Sequence, residues 1–103
     1  MSISDYFFCV GEIIKLRESL KTYPCLKDIP EYTKSADIVP YYLGPLMDGF
    51  ITSDDTLLVL EVFKEKLNIV PYAYKCLFNS RIIYIIKMKD VNIDPNICFI
   101  KCK

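Results

Sequence analysis

The chain contains no histidine and no tryptophan among its 103 residues. Histidine is the commonest general base and metal ligand of proteins, so its absence excludes Ser-His and Cys-His nucleophile pairs. The three glycines, Gly11, Gly44 and Gly49, are too scattered for a phosphate-binding loop, and neither a GxGxxG nor a Walker-type motif occurs. We therefore expect a protein that is not an enzyme and holds no cofactor.

The chain also lacks a net charge and a long hydrophobic segment. Thirteen basic residues balance thirteen acidic ones, so no overall field attracts nucleic acid or anionic lipid. The apolar runs TLLVLEVF and IIYII are far shorter than the roughly 20 residues that span a bilayer. Asp5 and Glu12 lie where a signal peptide would carry basic residues. We expect an intracellular, cytoplasmic protein that neither binds nucleic acid nor spans a membrane.

Apolar residues are what the chain has in abundance. The hydrophobic fraction is 52%, enough for 103 residues to form one globular domain, 1–103, around a core of its own. Ile, Tyr, Lys, Asp and Asn are all frequent, which is typical of an AT-rich genome such as that of a large DNA virus or an intracellular parasite. This composition indicates a folded chain and gives only a hint of its source.

Three segments have the apolar spacing of amphipathic helices: 2–23, 53–69 and 71–80. In the first, Phe8 falls on the polar side of the helical wheel, and Pro24 is expected to end the helix. The second begins with Ser53 as a favourable N-cap. Its apolar residues cover most of the circumference, so we expect it to be the central element of the core.

The last part of the chain is ambiguous between helix and strand. The segment RIIYII has the β-branched and aromatic content of a strand, but it continues a helical spacing from the preceding segment. Asp94–Pro95 suits a helix start and also a hairpin turn. The sequence predicts an all-α fold, a compact bundle of about four to five helices. The alternative is an α+β fold with a C-terminal β-hairpin at 81–103.

Aromatic residues outside the helical pattern are the best candidates for a contact surface. Tyrosine combines a large apolar body with a polar tip and is enriched at protein interfaces. The predicted partner-binding residues are Phe8, Tyr32, Tyr41, Tyr42 and Met47. We expect a non-enzymatic protein–protein interaction module, or a small subunit of a larger assembly, that binds another protein or itself as a homo-oligomer.

The five cysteines support a weaker alternative. An odd number cannot pair completely, and free cysteine usually packs as a small hydrophobic residue. Cys98 and Cys102 are four residues apart, so they share a face in a helix or in a strand. They therefore define the alternative function, a thiol-based metal-binding or redox protein.

Overall fold

The computed structural model describes residues 7–28, 47–64, 69–88 and 93–102, without the side chain of Met47. Of these residues, 61% lie in β-strands and 6% are helical. The predicted all-α bundle of four to five helices is therefore wrong, because the described chain is a curled antiparallel sheet of seven strands with one helical turn. No helix in these ranges is long and apolar enough to cross a membrane.

The described residues form seven strands and one short helix. They are β1 (Ile13–Leu16), β2 (Thr22–Leu26), β3 (Met47–Thr52), β4 (Thr56–Lys64), β5 (Pro71–Phe78), β6 (Arg81–Ile86), α1 (Pro95–Cys98) and β7 (Phe99–Lys101). Their order across the sheet is β3-β2-β6-β5-β4-β1-β7, with every neighbouring pair antiparallel.

The connection between β3 and β4 requires the sheet to curl. These strands are four positions apart in the sheet order, which in a flat sheet would separate them by about 19 Å. Only residues 53–55 join them, and four residue steps reach at most about 14 Å. The bend lies between β2 and β6, which share a single register pair, Leu26 with Tyr84. The β2–β3 pair therefore folds back over the other five strands.

The core fills the space inside this bend. Tyr23 on β2 meets Phe99 on β7, with ring centroids 5.1 Å apart and an edge-to-face angle of 73°. The main cluster contains Phe8, Ile14, Leu16, Tyr23, Cys25, Ile51, Leu57, Val59, Tyr74, Cys76, Ile83, Ile85 and Phe99. A second cluster, which includes Leu26, Ala73 and Ile86, lies on the opposite face at one end of the sheet.

Most of the segment predicted as the central helix, 53–69, forms strand β4, and its residues 65–68 lie outside the described residues. Burial alternates at first, with Leu57 and Val59 buried and Leu58 between them partly exposed. A β-bulge at Leu60 then puts an extra residue into the strand and shifts the alternation by one position. Glu61 and Lys64 are both exposed, and the register shifts a second time between Phe63 and Lys64. The exposed charges are therefore three positions apart, a spacing that also suits a helix, and this explains the wrong prediction.

The other predicted helices are also strands. Residues 2–23 contribute β1 and the start of β2, and Pro24 lies within β2 instead of ending a helix. Residues 71–80 form β5 and a two-residue hairpin turn. Asn79 and Ser80 are the two turn residues before β6, and both have positive φ angles, 48° and 63°. Such angles are what a two-residue hairpin turn requires.

In the C-terminal part of the chain, the predicted helix start is confirmed, but neither predicted fold is correct. The helix start at Asp94–Pro95 is confirmed: Asp94 is the N-cap, its Oδ1 accepts from the Asn96 N–H at 2.9 Å, and Pro95 opens the turn. The helix nevertheless ends after four residues. The alternative hairpin at 81–103 is wrong as well, because β6 pairs with β5 and β2 whereas β7 pairs with β1.

Candidate protein-binding surface

Only two of the five residues that the sequence predicts as partner-binding lie in the described part of the chain, Phe8 and the backbone of Met47. Phe8 is only 5% exposed and packs on Tyr74, so it is a core residue and not part of an exposed contact surface. Tyr32, Tyr41 and Tyr42 lie outside the described residues. Met47 begins β3, where its backbone is paired with Leu26. The predicted surface as a whole therefore stays a prediction, except that Phe8 is buried.

The two C-terminal cysteines do not form a compact pair. Cys98 is the last residue of α1, and Cys102 follows β7, so three extended residues separate them. An extended chain places their Cα atoms about 13 Å apart, well beyond the roughly 7 Å limit for a disulfide. Among the described residues, no group of three or more His, Cys, Asp or Glu side chains could hold a metal ion. The geometry gives no support to the thiol-based alternative.

A partly buried polar network connects α1 to the core. The Tyr74 hydroxyl accepts a hydrogen bond from the Phe8 N–H at 3.2 Å and donates one to Oδ1 of Asn96. The Asn96 amide in turn donates to the Pro71 carbonyl at 2.7 Å and to Asp94 Oδ1 at 3.1 Å. Burial raises the pKa of Tyr74 above its usual value. The hydroxyl is therefore neutral at pH 7, and its two hydrogen bonds connect Phe8 to α1.

The buried thiols are likewise unsuited to chemistry. Burial raises the pKa of the Cys76 thiol to about 12, and it also raises the pKa of Cys25. Because the thiolate is the reactive form of cysteine, both side chains are poor nucleophiles at neutral pH. The two cysteines behave as apolar core residues.

An exposed row of aliphatic side chains crosses the outer face of the sheet. It consists of Ile13 on β1, Leu58 on β4, Leu77 on β5 and Ile82 on β6, and we call it the outer row. Each member lies directly opposite the next across neighbouring strands: Ile13 pairs with Leu58, Leu58 with Leu77, and Leu77 with Ile82. Since strands are about 4.8 Å apart, the row is about 14 Å long.

The outer row is exposed because its neighbours along each strand face the core. Ile14, Leu57, Cys76 and Ile83 are buried, whereas Ile13, Leu77 and Ile82 are 49%, 38% and 44% exposed. Leu58 is partly exposed at the centre of the row. Contiguous exposed aliphatic groups are uncommon on soluble proteins and usually mark a contact site.

A pair of opposite charges lies beside the centre of the row. Lys75 is two residues before Leu77 on β5, and it lies directly opposite Glu61 on β4. Glu61 reaches the outer face because of the bulge at Leu60, since regular alternation would have turned its side chain toward the core. Within the described part of the chain, neither charged group takes part in an ion pair.

Two other exposed apolar side chains, Phe50 and Ile97, are more isolated. Phe50 on β3 is 57% exposed, but its register partner on β2 is the buried Pro24. Ile97 is exposed on α1, which adjoins the core side of β5 through the Tyr74–Asn96 hydrogen bond. The outer row, in contrast, is continuous across four strands.

The outer row could not be recognised from the sequence because helices were predicted where the structure has β4 and β5. One signal was present in the sequence: the two polar residues Asn79–Ser80 separate two β-rich runs, which is the pattern of a hairpin. Pairing these runs about the turn places Leu77 opposite Ile82. The partners Ile13 and Leu58 come from distant parts of the chain, and no local pattern indicates them.

The chain matches no protein-family model, no curated protein and no solved structure. The proposed function is therefore based on the geometry of the surface.

Proposed function

We propose that this domain is a non-enzymatic interaction module that binds protein through the outer row. The observation that carries the proposal is the unbroken register Ile13–Leu58–Leu77–Ile82 across four strands, with two large side chains, Ile13 and Ile82, close to half exposed at its ends. Covering these side chains removes apolar area from water at about 25 cal/mol per Å². A polar rim with Glu61 and Lys75 is typical of such sites.

The chemical inventory agrees with binding rather than catalysis. The sequence has no histidine, and burial raises the pKa values of the Tyr23, Tyr74, Cys25 and Cys76 side chains. Raised values keep these groups protonated and neutral at pH 7, so none of the four supplies an activated nucleophile or base.

Site-specific photo-crosslinking tests the proposal. A photoreactive phenylalanine analogue replaces Leu77 in one variant and Ile97 in a control, because Ile97 is exposed but lies off the outer row. We expect protein adducts from position 77 that disappear when Ile13 and Ile82 are changed to Ser. If position 77 gives no more adduct than position 97, or if the Ser changes have no effect, the outer row is not a binding surface.

A further inference from the structure

We infer that the partner of the outer row is a second copy of this chain, arranged about a twofold axis that runs parallel to the strands between β4 and β5. This inference rests on the proposed function and identifies the binding partner of the outer row. A symmetric dimer requires a surface that is complementary to itself, because each residue of one copy meets the symmetry-related position of the other.

The order of residues in the row satisfies this requirement. Read from β1 to β6, the row is Ile13, Leu58, Leu77, Ile82, which is the same in both directions by residue type. Rotation about the axis places Leu58 of one copy over Leu77 of the other. The same rotation places Ile13 over Ile82. Every apolar side chain therefore meets an apolar side chain of matching size.

The charged pair meets the same requirement independently. Glu61 and Lys75 lie opposite each other on β4 and β5, so they flank the proposed axis at the same level along the strands. Rotation places Glu61 of one copy over Lys75 of the other, and the reverse contact is formed as well. The dimer then has two ion pairs on one side of the interface, and no like charges face each other at this level.

The proposed contact has the geometry of ordinary sheet packing. Two sheets that pack face to face lie about 10 Å apart, with strand directions within about 30°. Because the sheet curls toward its core, its outer face approaches the second copy most closely at the central strands. Leu58, Leu77, Glu61 and Lys75 flank the axis at two successive levels, so they should form the centre of the contact. Phe63 and Ala73 flank it at the next level, where Ala73 is already buried.

Charge reversal with mixing tests the arrangement. The variants Glu61→Lys and Lys75→Glu each put like charges across both ion-pair positions of a homodimer. An equimolar mixture restores opposite charges at both positions of the mixed dimer. We expect the wild type to sediment at twice the monomer mass of 12.0 kDa. Each variant alone should show a dissociation constant raised by about tenfold or more, and the mixture should return close to the wild-type value.

Mixing separates contact between chains from effects within one chain. Glu61 and Lys75 are also neighbours in the same sheet, so each reversal weakens the fold of its own chain, and mixing leaves that effect unchanged. The control pair Lys21→Glu and Asp28→Lys makes the same charge changes at exposed positions away from the row and should dimerise like the wild type.

Two results would overturn the inference. A wild type that stays monomeric at every concentration excludes the second copy. A wild-type dimer with no recovery in the mixture excludes this twofold axis. Crosslinking from position 77 to a different protein would then preserve the proposed function, whereas the loss of all position-specific adducts would remove both.

Discussion

Replacing Tyr74 by Phe should reveal how strongly one hydroxyl holds the fold together. The Tyr74 side chain is fully buried, and its oxygen connects the Phe8 N–H to the Asn96 side chain. Phenylalanine keeps the ring and its packing on Phe8, whose centroid is 5.4 Å away, so the substitution creates no large cavity. The hydrogen bonds are what changes.

The expected loss in the free energy of unfolding is about 2 kcal/mol. A buried donor without an acceptor costs about 1–3 kcal/mol, and Phe8 is 5% exposed, so its N–H has little access to water after the substitution. Asn96 is only partly buried, and water can replace its lost donor at small cost. Because small domains are stable by about 5–15 kcal/mol, the loss is a large fraction of the total.

Urea unfolding at pH 7 measures this loss. We expect a lower midpoint for Tyr74→Phe with an unchanged denaturant slope. The control is Tyr84→Phe, because the Tyr84 side chain is partly exposed and its hydroxyl makes no hydrogen bond among the described residues; that variant should stay within about 0.5 kcal/mol of the wild type. If Tyr74→Phe is equally neutral, the partly buried network does not stabilise the fold as argued.

Three further predictions concern pH, thiol reactivity and the hairpin turn. Above pH 9, stability should fall, because the unfolded Cys76 thiol (pKa 9.0) loses its proton whereas the folded thiol keeps it up to a pKa of about 12. This thiol changes the free energy of unfolding by at most about 1.4 kcal/mol per pH unit. The urea midpoints at about pH 8 and pH 10 should therefore differ less in Cys76→Ala than in the wild type. A chromogenic thiol reagent should label exposed Cys9 at once and buried Cys25 only after denaturant is added, and immediate labelling of Cys25 would contradict its burial. Ser80→Gly should raise the free energy of unfolding by up to about 1 kcal/mol because glycine adopts the positive φ of 63° without strain, while a decrease measured by thermal unfolding would show that the turn is misassigned.

Features that depend on adjacent residues could be predicted from the sequence better than the pairing of distant strands. Asp94–Pro95 predicts the helix start because capping depends only on adjacent residues. Strand β4 escaped prediction because two register shifts interrupt its period of two and leave the exposed charges Glu61 and Lys64 three positions apart, a spacing that also suits a helix. The sheet order could not be predicted, since β1 pairs with β4 and β7 across long stretches of chain.

The candidate surface could be predicted only in part for the same reason. The Asn79–Ser80 turn gives the register of Leu77 with Ile82, and therefore half of the outer row. The other half depends on β1 and β4, whose register is set by the packing of the curled sheet. Phe8 was assigned to an exposed position on a helical wheel, but no helix forms there and the side chain enters the core.

Sedimentation equilibrium of the wild type beside the double variant Leu58→Glu, Leu77→Glu measures whether the protein associates through the outer row. We expect a mass that rises with concentration from 12.0 kDa to twice that value for the wild type, and a constant 12.0 kDa for the variant. Circular dichroism should be unchanged, because both side chains lie on the outer face. A folded variant that associates as strongly as the wild type would contradict the claim that the outer row is where this protein makes its contacts.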